Sequence, residues 1–246
     1  RPNCGVPVSA QRGLEDLVDP DDDGLALVAA WAGESPHPVE IVPGDPSAGR
    51  NVLLALQVTT RSVLGAVAFH CGGLRVDHGW LRHLGSGDER VASSIVAWNA
   101  MLGGNALDPS LDGALVVAYD VLGGIFAINA GALEGASGAM HYYAPDGRAW
   151  EPLEMGHAQF VSWILSDRLD VFYAGWRWSG WQADVAGLGP DEGFAVYPPL
   201  GFAGSDGEPI TMDARTRSVV PIRELWLGFQ LVERQLRGVP DGSTVE

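Results

Sequence analysis

The sequence from Ala114 to Tyr143, ALVVAYDVLGGIFAINAGALEGASGAMHYY, contains three short runs typical of β-strands. The runs cover Ala114 to Tyr119, Ile125 to Ile128 and Ala139 to Tyr143, and glycine-rich turns separate them. Short strands that follow one another through turns, without an intervening helix, predict an antiparallel meander.

Two apolar segments upstream of the meander also have the composition of strands. Val39 to Val42 lies between proline- and glycine-rich loops and predicts a short strand. Val63 to Phe69 is continuously apolar, and the glycine pair Gly72-Gly73 separates it from Leu74 to Val76. We therefore expect these two runs to form a hairpin.

Other segments have helical spacing. Ser86 and Glu89 have the spacing of a capping box, so we expect a helix from Ser86 to the glycine pair that begins at Gly103. Apolar residues at helical spacing from Ile222 to Leu236 predict a C-terminal helix. Further helical segments are predicted at residues 14–18, 25–32, 51–56 and 160–173, the last as one long helix or two short ones.

These elements do not alternate as strand, helix and strand, so the predicted fold class is α+β and not a doubly wound parallel sheet. We expect a single domain with a mainly antiparallel, twisted sheet packed against helices. Residues 1–34 are predicted to form an N-terminal helical segment packed on the core, residues 35–238 the α+β domain, and residues 239–246 a C-terminal tail.

Composition excludes several functions. The 246 residues include 15 basic and 31 acidic side chains, a formal net charge of −16 that disfavours nucleic acid and anionic membranes as partners. All basic residues are arginines, so chemistry that needs a P-loop lysine or a Schiff-base lysine is excluded. Apolar stretches are shorter than the roughly 20 residues of a membrane span. No signal-peptide pattern opens the chain, and we expect a cytoplasmic location.

Two segments contain metal-ligand types without a complete metal motif. Asp19 to Gly24 matches the opening of a calcium loop, but Ala30 stands at the twelfth position, where such a loop has glutamate. The alternative role of this segment is to place negative charge at the start of a helix. His70 to His78 contains imidazole, thiol and carboxylate groups, but no zinc-site spacing. We therefore expect no metal and no cofactor.

A first set of candidate binding residues combines polar groups near the meander turns with a downstream aromatic cluster. Their alternative roles are turn capping for the polar residues and core packing for the aromatic ones. The set consists of Asp120, Asn129, Tyr143, Arg177, Trp178 and Trp181.

A second set predicts a different class of function, an enzyme or a small-molecule-binding protein. It requires a pocket in which Arg61, Asp77, His78, Arg82 and Asp120 converge. A third hypothesis is a homo-oligomer that associates through exposed members of the chain's nine tryptophans.

Five stretches of the sequence carry a resemblance to a known family: Leu56 to Ala66, Gly79 to Gly87, Asp120 to Asn129, Tyr142 to Asp146, and Phe172-Tyr173 with Arg177-Trp178 and Trp181. They resemble the DUF2625 family of uncharacterised bacterial proteins. The similarity extends from about Val39 to Leu236, and the chain has Tyr119-Asp120 where the family resemblance implies two acidic residues.

The glycine-pair strand, the tyrosine-bearing strand and the helix from Gly156 to Ile164 are also similar, more loosely, to the SUKH superfamily. That resemblance implies an α+β binding protein, and many bacterial members are immunity proteins that neutralise toxins. The first hypothesis is therefore a non-enzymatic protein-binding module whose acidic surface complements a basic partner.

Overall fold

A computed structural model describes residues 11–21, 24–103, 113–147, 149–204 and 207–236. Its centre is a seven-stranded antiparallel sheet in which each strand pairs with the next along the chain, as in the predicted meander. The α+β fold class is confirmed. The strands are β1 Val39–Pro43, β2 Cys71–Val76, β3 Leu81–Leu84, β4 Ala114–Asp120, β5 Ile125–Asn129, β6 Ala139–Ala144 and β7 Ala149–Gly156.

Helices cover both faces of this sheet. Phe126 points to one face, where its ring centroid lies 5.0 Å from that of Phe160 in α6. Tyr119 and Tyr143 point to the opposite face and contact Trp98 of α5 and Trp226 of α9. The helices are α1 Leu14–Leu17, α2 Leu25–Glu34, α3 Pro46–Leu56, α4 Val63–His70, α5 Ile95–Gly103, α6 His157–Ile164, α7 Arg168–Phe172, α8 Trp181–Ala186 and α9 Ile222–Leu236.

A second, two-stranded sheet lies beside the central one. Its strands, β8 Glu192–Tyr197 and β9 Thr216–Pro221, are antiparallel, and α9 follows β9 directly. The backbone N–H of Phe194 donates to the carbonyl oxygen of Val121 at 2.7 Å, which ties β8 to the end of β4. Helix α9 packs on both strands.

The predicted strand from Val63 to Phe69 is wrong, because these residues form helix α4. Ser62 caps the helix, and its hydroxyl oxygen accepts a hydrogen bond from the N–H of Gly65 at 3.0 Å. The helix is apolar on nearly all sides because the sheet and other helices bury it, so it lacks the polar face that distinguishes a helix from a strand in sequence. Strand β2 accordingly pairs with β1 and β3 instead.

The helix predicted from Ser86 begins only at Ile95. The Ser86 hydroxyl donates to the carbonyl oxygen of Cys71 at 2.9 Å, so it fixes a loop to β2 instead of capping a helix. Ser94 is the residue whose hydroxyl oxygen accepts the N–H of Ala97, at 3.1 Å. The segment at 160–173 contains two short helices, α6 and α7. The C-terminal helix has the predicted bounds.

The N-terminal helices pack on the core through Leu17 and Val28, both fully buried. Asp22 and Asp23 of the calcium-like segment lie outside the described residues, and the carboxylate of Asp19 contacts Arg61. In the part of the chain that the structure describes, no helix combines the length and the apolar content that crossing a membrane requires.

Candidate functional site

Asp120 ends β4 as a fully buried carboxylate. Its Oδ1 accepts the backbone N–H groups of Leu122 and Gly124, each at 2.9 Å, and so closes the turn into β5. Its Oδ2 accepts the hydroxyls of Tyr142 and Tyr173, also at 2.9 Å. Burial raises the pKa of Asp120, and the four donors oppose that shift. Its contacts are therefore those of a structural hub.

Two other members of the first predicted set are also buried. The Asn129 side chain accepts the N–H groups of Gly131 and Leu133 and donates to carbonyls of the same loop, among them that of Leu133 at 2.9 Å. Asn129 thus organises the turn between β5 and β6. This is the turn-capping role expected from the sequence as the alternative to binding. Tyr143 packs edge-on against Trp150 and Trp226.

Arg177, Trp178 and Trp181 come together at one end of the sheet. Arg177 stacks on the Trp181 ring, with 4.3 Å between Cζ and the ring centroid. Trp178 is buried, and its indole N–H donates to Asp184 at 2.6 Å. Trp80 of the segment before β3 lies between the two indoles.

The same end of the sheet contains Asp77 and His78 of the second predicted set. Arg177 pairs with Asp77 and with Asp170 of α7, and His37 lies beside both carboxylates. We call His37, Asp77, Asp170 and Arg177 the Asp77 cluster. Burial raises the pKa of Asp77, with Arg177 and His37 acting in the opposite direction.

Asp77 and His78 also share an unusual backbone conformation. Their φ angles are 54° and 61°, in the left-handed region, and Gly79 continues it at 89°. Such a conformation costs of order 1 kcal/mol or more for each residue with a side chain. His78 is exposed and contacts the Trp181 ring edge-on, while Asp77 is buried.

Of the remaining residues of the second predicted set, Arg61 lies apart, whereas Arg82 and Asp120 lie near the same end of the sheet without belonging to the Asp77 cluster. Arg61 is largely exposed and pairs with Asp19 near the start of α4. Arg82 is buried on the sheet face opposite Asp120, since it pairs across strands with Tyr119, the residue before Asp120. The structure thus joins Asp77 and His78 directly to Arg177 and Trp181. Asp120 is linked to this group through Tyr173, whose hydroxyl it accepts and whose ring Arg177 also contacts, and Arg82 donates to the carbonyl oxygen of Gly79 at 3.2 Å.

A buried histidine pair links β3 to α6. The Nε2 atoms of His83 and His157 are 2.9 Å apart, and Nδ1 of His83 lies 2.8 Å from the carbonyl oxygen of Leu84. A carbonyl only accepts, so Nδ1 of His83 carries its proton and His157 donates to Nε2. Burial lowers the pKa of His83 to about 4 and that of His157 well below its ordinary value.

The β8–β9 sheet, the loop between its strands and α9 enclose a groove of about 430 Å³. Phe194, Leu200, Phe202 and Leu225 are among its walls, and Glu224 is the one charged residue among its described lining residues. We call it the apolar groove. Among the described residues, three of the five large apolar side chains that are exposed belong to β8, β9 or this loop: Tyr197, Phe202 and Val219.

Arg215 fixes the loop that forms one wall of the apolar groove. Its guanidinium donates to the carbonyl oxygens of Pro198, Pro199 and Phe202. Arg215 is only 6% exposed, and this burial lowers its pKa. One buried side chain therefore holds Phe202 at the rim, where the residue is 52% exposed.

A second groove, of about 720 Å³, lies on the other side of the first turn of α9. Glu89, Asp191 and Glu224 line it, together with Arg223. Glu224 lines both grooves, so the apolar groove has an acidic neighbour. We call this neighbour the acidic groove.

Neither groove was predicted from the sequence. The walls of the apolar groove come from segments that are far apart in the chain, such as Leu122, Leu200 and Leu225. The available signal was local: proline, leucine and phenylalanine at 198–202 form an apolar run in a segment rich in turn residues. His37 and Asp170 were also missed, because neither has a neighbour that suggests a site.

Comparison with known proteins places the chain among uncharacterised relatives. Residues 14–225 match the family described as protein of unknown function DUF2625. The uncharacterised protein YbfG of Escherichia coli is 36% identical over 225 residues, which cover 90% of this chain and 98% of YbfG. An uncharacterised protein of Haemophilus influenzae is 31% identical over 211 residues, covering 85% and 90% of the two chains. No solved structure shows a significant match.

Proposed function

Since the chain belongs to the DUF2625 family, whose description assigns no activity, we propose from the structure that it is a non-enzymatic protein-binding module. Its partner inserts an apolar side chain into the apolar groove. The single observation that supports this is the groove itself, with the exposed ring of Phe202 at its rim. Exposed apolar surface that is gathered in one place is typical of interaction sites.

Charge defines the partner further. The chain carries a net charge of −16, and Glu89, Asp191 and Glu224 line the groove next to the apolar one. A basic segment beside the apolar anchor neutralises these carboxylates, and the long-range field accelerates its approach. The proposed partner is therefore a basic protein that presents an apolar anchor flanked by arginine or lysine.

The looser SUKH resemblance supports a specific form of this proposal. Immunity proteins of that superfamily neutralise toxins, and a basic toxin nuclease domain has the charge that this partner requires. In this proposal, buried residues such as Asp120 and Asn129 act on binding only through the shape of the fold. The alternative of an enzyme or small-molecule-binding protein stays a prediction.

Selection from a random peptide library tests the proposal without a known partner. Peptides displayed on phage are selected on the wild-type protein and depleted on Phe202→Glu, which places a charge at the groove rim. We expect enriched peptides with an aromatic or aliphatic anchor next to basic residues. Their affinity for Phe202→Glu falls at least about tenfold, as for a central interface residue.

Val171→Glu is the matched control, because Val171 is 78% exposed and lies on α7, away from the groove. This variant adds the same charge and leaves peptide affinity unchanged. Glu224→Gln reduces both the affinity and its dependence on salt. Selection that enriches no peptide, or only peptides that bind Phe202→Glu as well as wild type, contradicts the proposal.

A further inference from the structure

His37 directs its Nδ1 at the buried carboxylate of Asp77. Its side chain is 7% exposed, and its Nε2 lies 3.1 Å from the carbonyl oxygen of Ser166. Since that oxygen only accepts, Nε2 carries the proton of the neutral ring and Nδ1 carries a lone pair. Nδ1 lies 3.8 Å from Oδ1 of Asp77, whose side chain is 5% exposed. In the neutral ring, Nδ1 and Oδ1 of Asp77 are therefore two acceptors that can bind one cation.

Arg177 orients the two carboxylates of the Asp77 cluster. It bonds Oδ2 of Asp77 through one nitrogen and Oδ1 of Asp170 through another. The opposite oxygens point to His37. Oδ1 of Asp77 lies 3.8 Å from its Nδ1, and Oδ2 of Asp170 lies 3.9 Å from its Nε2. One oxygen of each carboxylate is thus turned toward the imidazole.

We propose that His37, Asp77 and Asp170 bind a divalent transition-metal ion, with Zn²⁺ as the ion that fits them best. Their candidate ligand atoms lie within 4.8 Å of one another. Donors on one Zn²⁺ lie roughly 3 to 3.5 Å apart, given metal–ligand distances near 2 Å. Binding therefore needs a contraction of the cluster by an ångström or so, which the exposed side chain of Asp170 can supply.

The chemistry of the three ligands selects among ions. A neutral imidazole favours zinc and similar transition metals over Mg²⁺ and Ca²⁺, which prefer oxygen alone. The hydrogen bond from Nε2 to the Ser166 carbonyl is the kind of outer contact that fixes the tautomer of a ligating histidine. Three protein ligands leave a fourth position for water, as in open zinc sites.

Charge in the cluster also favours a cation. Two carboxylates and Arg177 sum to −1 when His37 is neutral, so an added cation meets net attraction. Arg177 itself is held by aromatic rings, at 4.3 Å from the Trp181 centroid and 5.3 Å from that of Trp80. It keeps the carboxylates in place before the ion arrives and lowers the affinity relative to a site without it.

The ion links segments that are distant in the chain. His37 precedes β1, Asp77 follows β2, and Asp170 belongs to α7. Because the unfolded chain separates these ligands, an ion that binds the folded state raises the unfolding temperature by mass action. Binding and stability are therefore two linked readouts that separate experiments can measure, and neither depends on the proposed peptide-binding function.

Isothermal titration of the metal-free chain with Zn²⁺ alone, and with Mg²⁺ as comparison, tests the site. We expect one Zn²⁺ per chain, a higher unfolding temperature with Zn²⁺, and no comparable effect of Mg²⁺. His37→Gln and Asp170→Asn each weaken Zn²⁺ binding at least about tenfold. Glu151→Gln, a change of an exposed carboxylate on β7, leaves it within about twofold of wild type.

Asp170→Asn keeps the test independent of folding, because the Asp170 side chain is 56% exposed and its loss leaves no buried hole. Circular dichroism verifies that each variant is folded. X-ray absorption of the zinc-loaded protein reports one imidazole ligand among oxygen ligands. Absence of stoichiometric Zn²⁺ binding, or binding that His37→Gln and Asp170→Asn leave unchanged, overturns the proposal.

Discussion

The guanidinium of Arg215 donates a hydrogen bond to the carbonyl oxygen of Phe202, with 3.1 Å between Nη2 and that oxygen. Because the same guanidinium also bonds the carbonyls of Pro198 and Pro199, it fixes the backbone that presents the Phe202 ring. A wall that is already ordered reduces the entropy lost when a partner binds. The apolar groove is therefore a preformed site.

Replacement of Arg215 by leucine tests whether this side chain fixes the loop that carries Phe202. Arg215→Leu removes the donors to three carbonyls, and we expect the free energy of unfolding to fall by about 2 kcal/mol. Amide hydrogen exchange at residues 200–204 accelerates, and peptides selected on the groove bind more weakly. If amide hydrogen exchange in this loop is as slow in Arg215→Leu as in the wild-type protein, contacts other than those of Arg215 hold the loop.

Asp120 supports a graded prediction about stability. Asp120→Ala leaves four buried donors without an acceptor, and we expect a loss of about 3 kcal/mol or more. Asp120→Asn costs less, because its amide still accepts at one position and donates to tyrosine hydroxyls at the other. Tyr142→Phe and Tyr173→Phe each cost about 1.5 kcal/mol. Chemical denaturation gives all four values.

The same variants separate structure from binding at Asp120. If Asp120 acts only through the fold, Asp120→Asn binds groove-selected peptides with wild-type affinity under conditions where it is folded. A loss of peptide affinity without a loss of stability would instead assign Asp120 a direct part in binding.

Asn129→Asp tests whether one side chain holds the turn between β5 and β6. The Asn129 amide nitrogen donates to the carbonyls of Leu133, Gly135 and Ala136. A carboxylate of the same shape places an oxygen against these acceptors, and we expect a loss of about 2 kcal/mol. Hydrogen exchange at residues 131–138 localises the effect. Unchanged exchange there would contradict this role.

The His83–His157 pair predicts a stability that depends on pH. The pKa of His83 is about 4 in the folded chain, against an ordinary value of 6.5. Between these pH values the unfolded state binds more protons, so stability falls as pH drops from 6.5 toward 4. The shift corresponds to about 3 kcal/mol for His83 alone, since each pKa unit is worth about 1.4 kcal/mol.

Unfolding free energies at several pH values between 7 and 4 measure this slope. The double variant His83→Leu/His157→Leu loses less stability over the same range, because neither position titrates. His78→Gln, at an exposed histidine, retains the wild-type slope. A double variant with the wild-type slope would assign the acid sensitivity to carboxylates.

The sequence was sufficient to predict the meander, whose short apolar runs are separated by glycine-rich turns, and the C-terminal helix, whose apolar residues recur at helical spacing. Strands β4 to β6 are buried on both faces and show no alternation, so the glycine-rich turns located them, whereas the amphipathic pattern of α9 results from one buried and one exposed side. Helix α4 has no such pattern, since neighbours bury it almost all around. Its apolar run is therefore indistinguishable from a buried strand until its contacts are known.

The candidate sites were predictable only in part, because they depend on contacts between distant residues. Asp120 and Asn129 stand out in the sequence, but the turn geometry that buries them makes their contacts intramolecular. Asp77 and Arg177 were both selected, in different hypotheses, and only the fold shows that they pair. His37 and Asp170 join them from segments whose local sequence suggests no site.

Methyl NMR of the chain titrated with a groove-selected peptide tests the proposed binding site most directly. We expect perturbed methyl resonances at Val196, Leu200 and Leu225, which line the apolar groove, and unchanged ones at Leu27 and Val171. If the methyls of Leu27 or Val171 shift while those of the groove remain unchanged, the partner binds elsewhere and the proposed function is wrong.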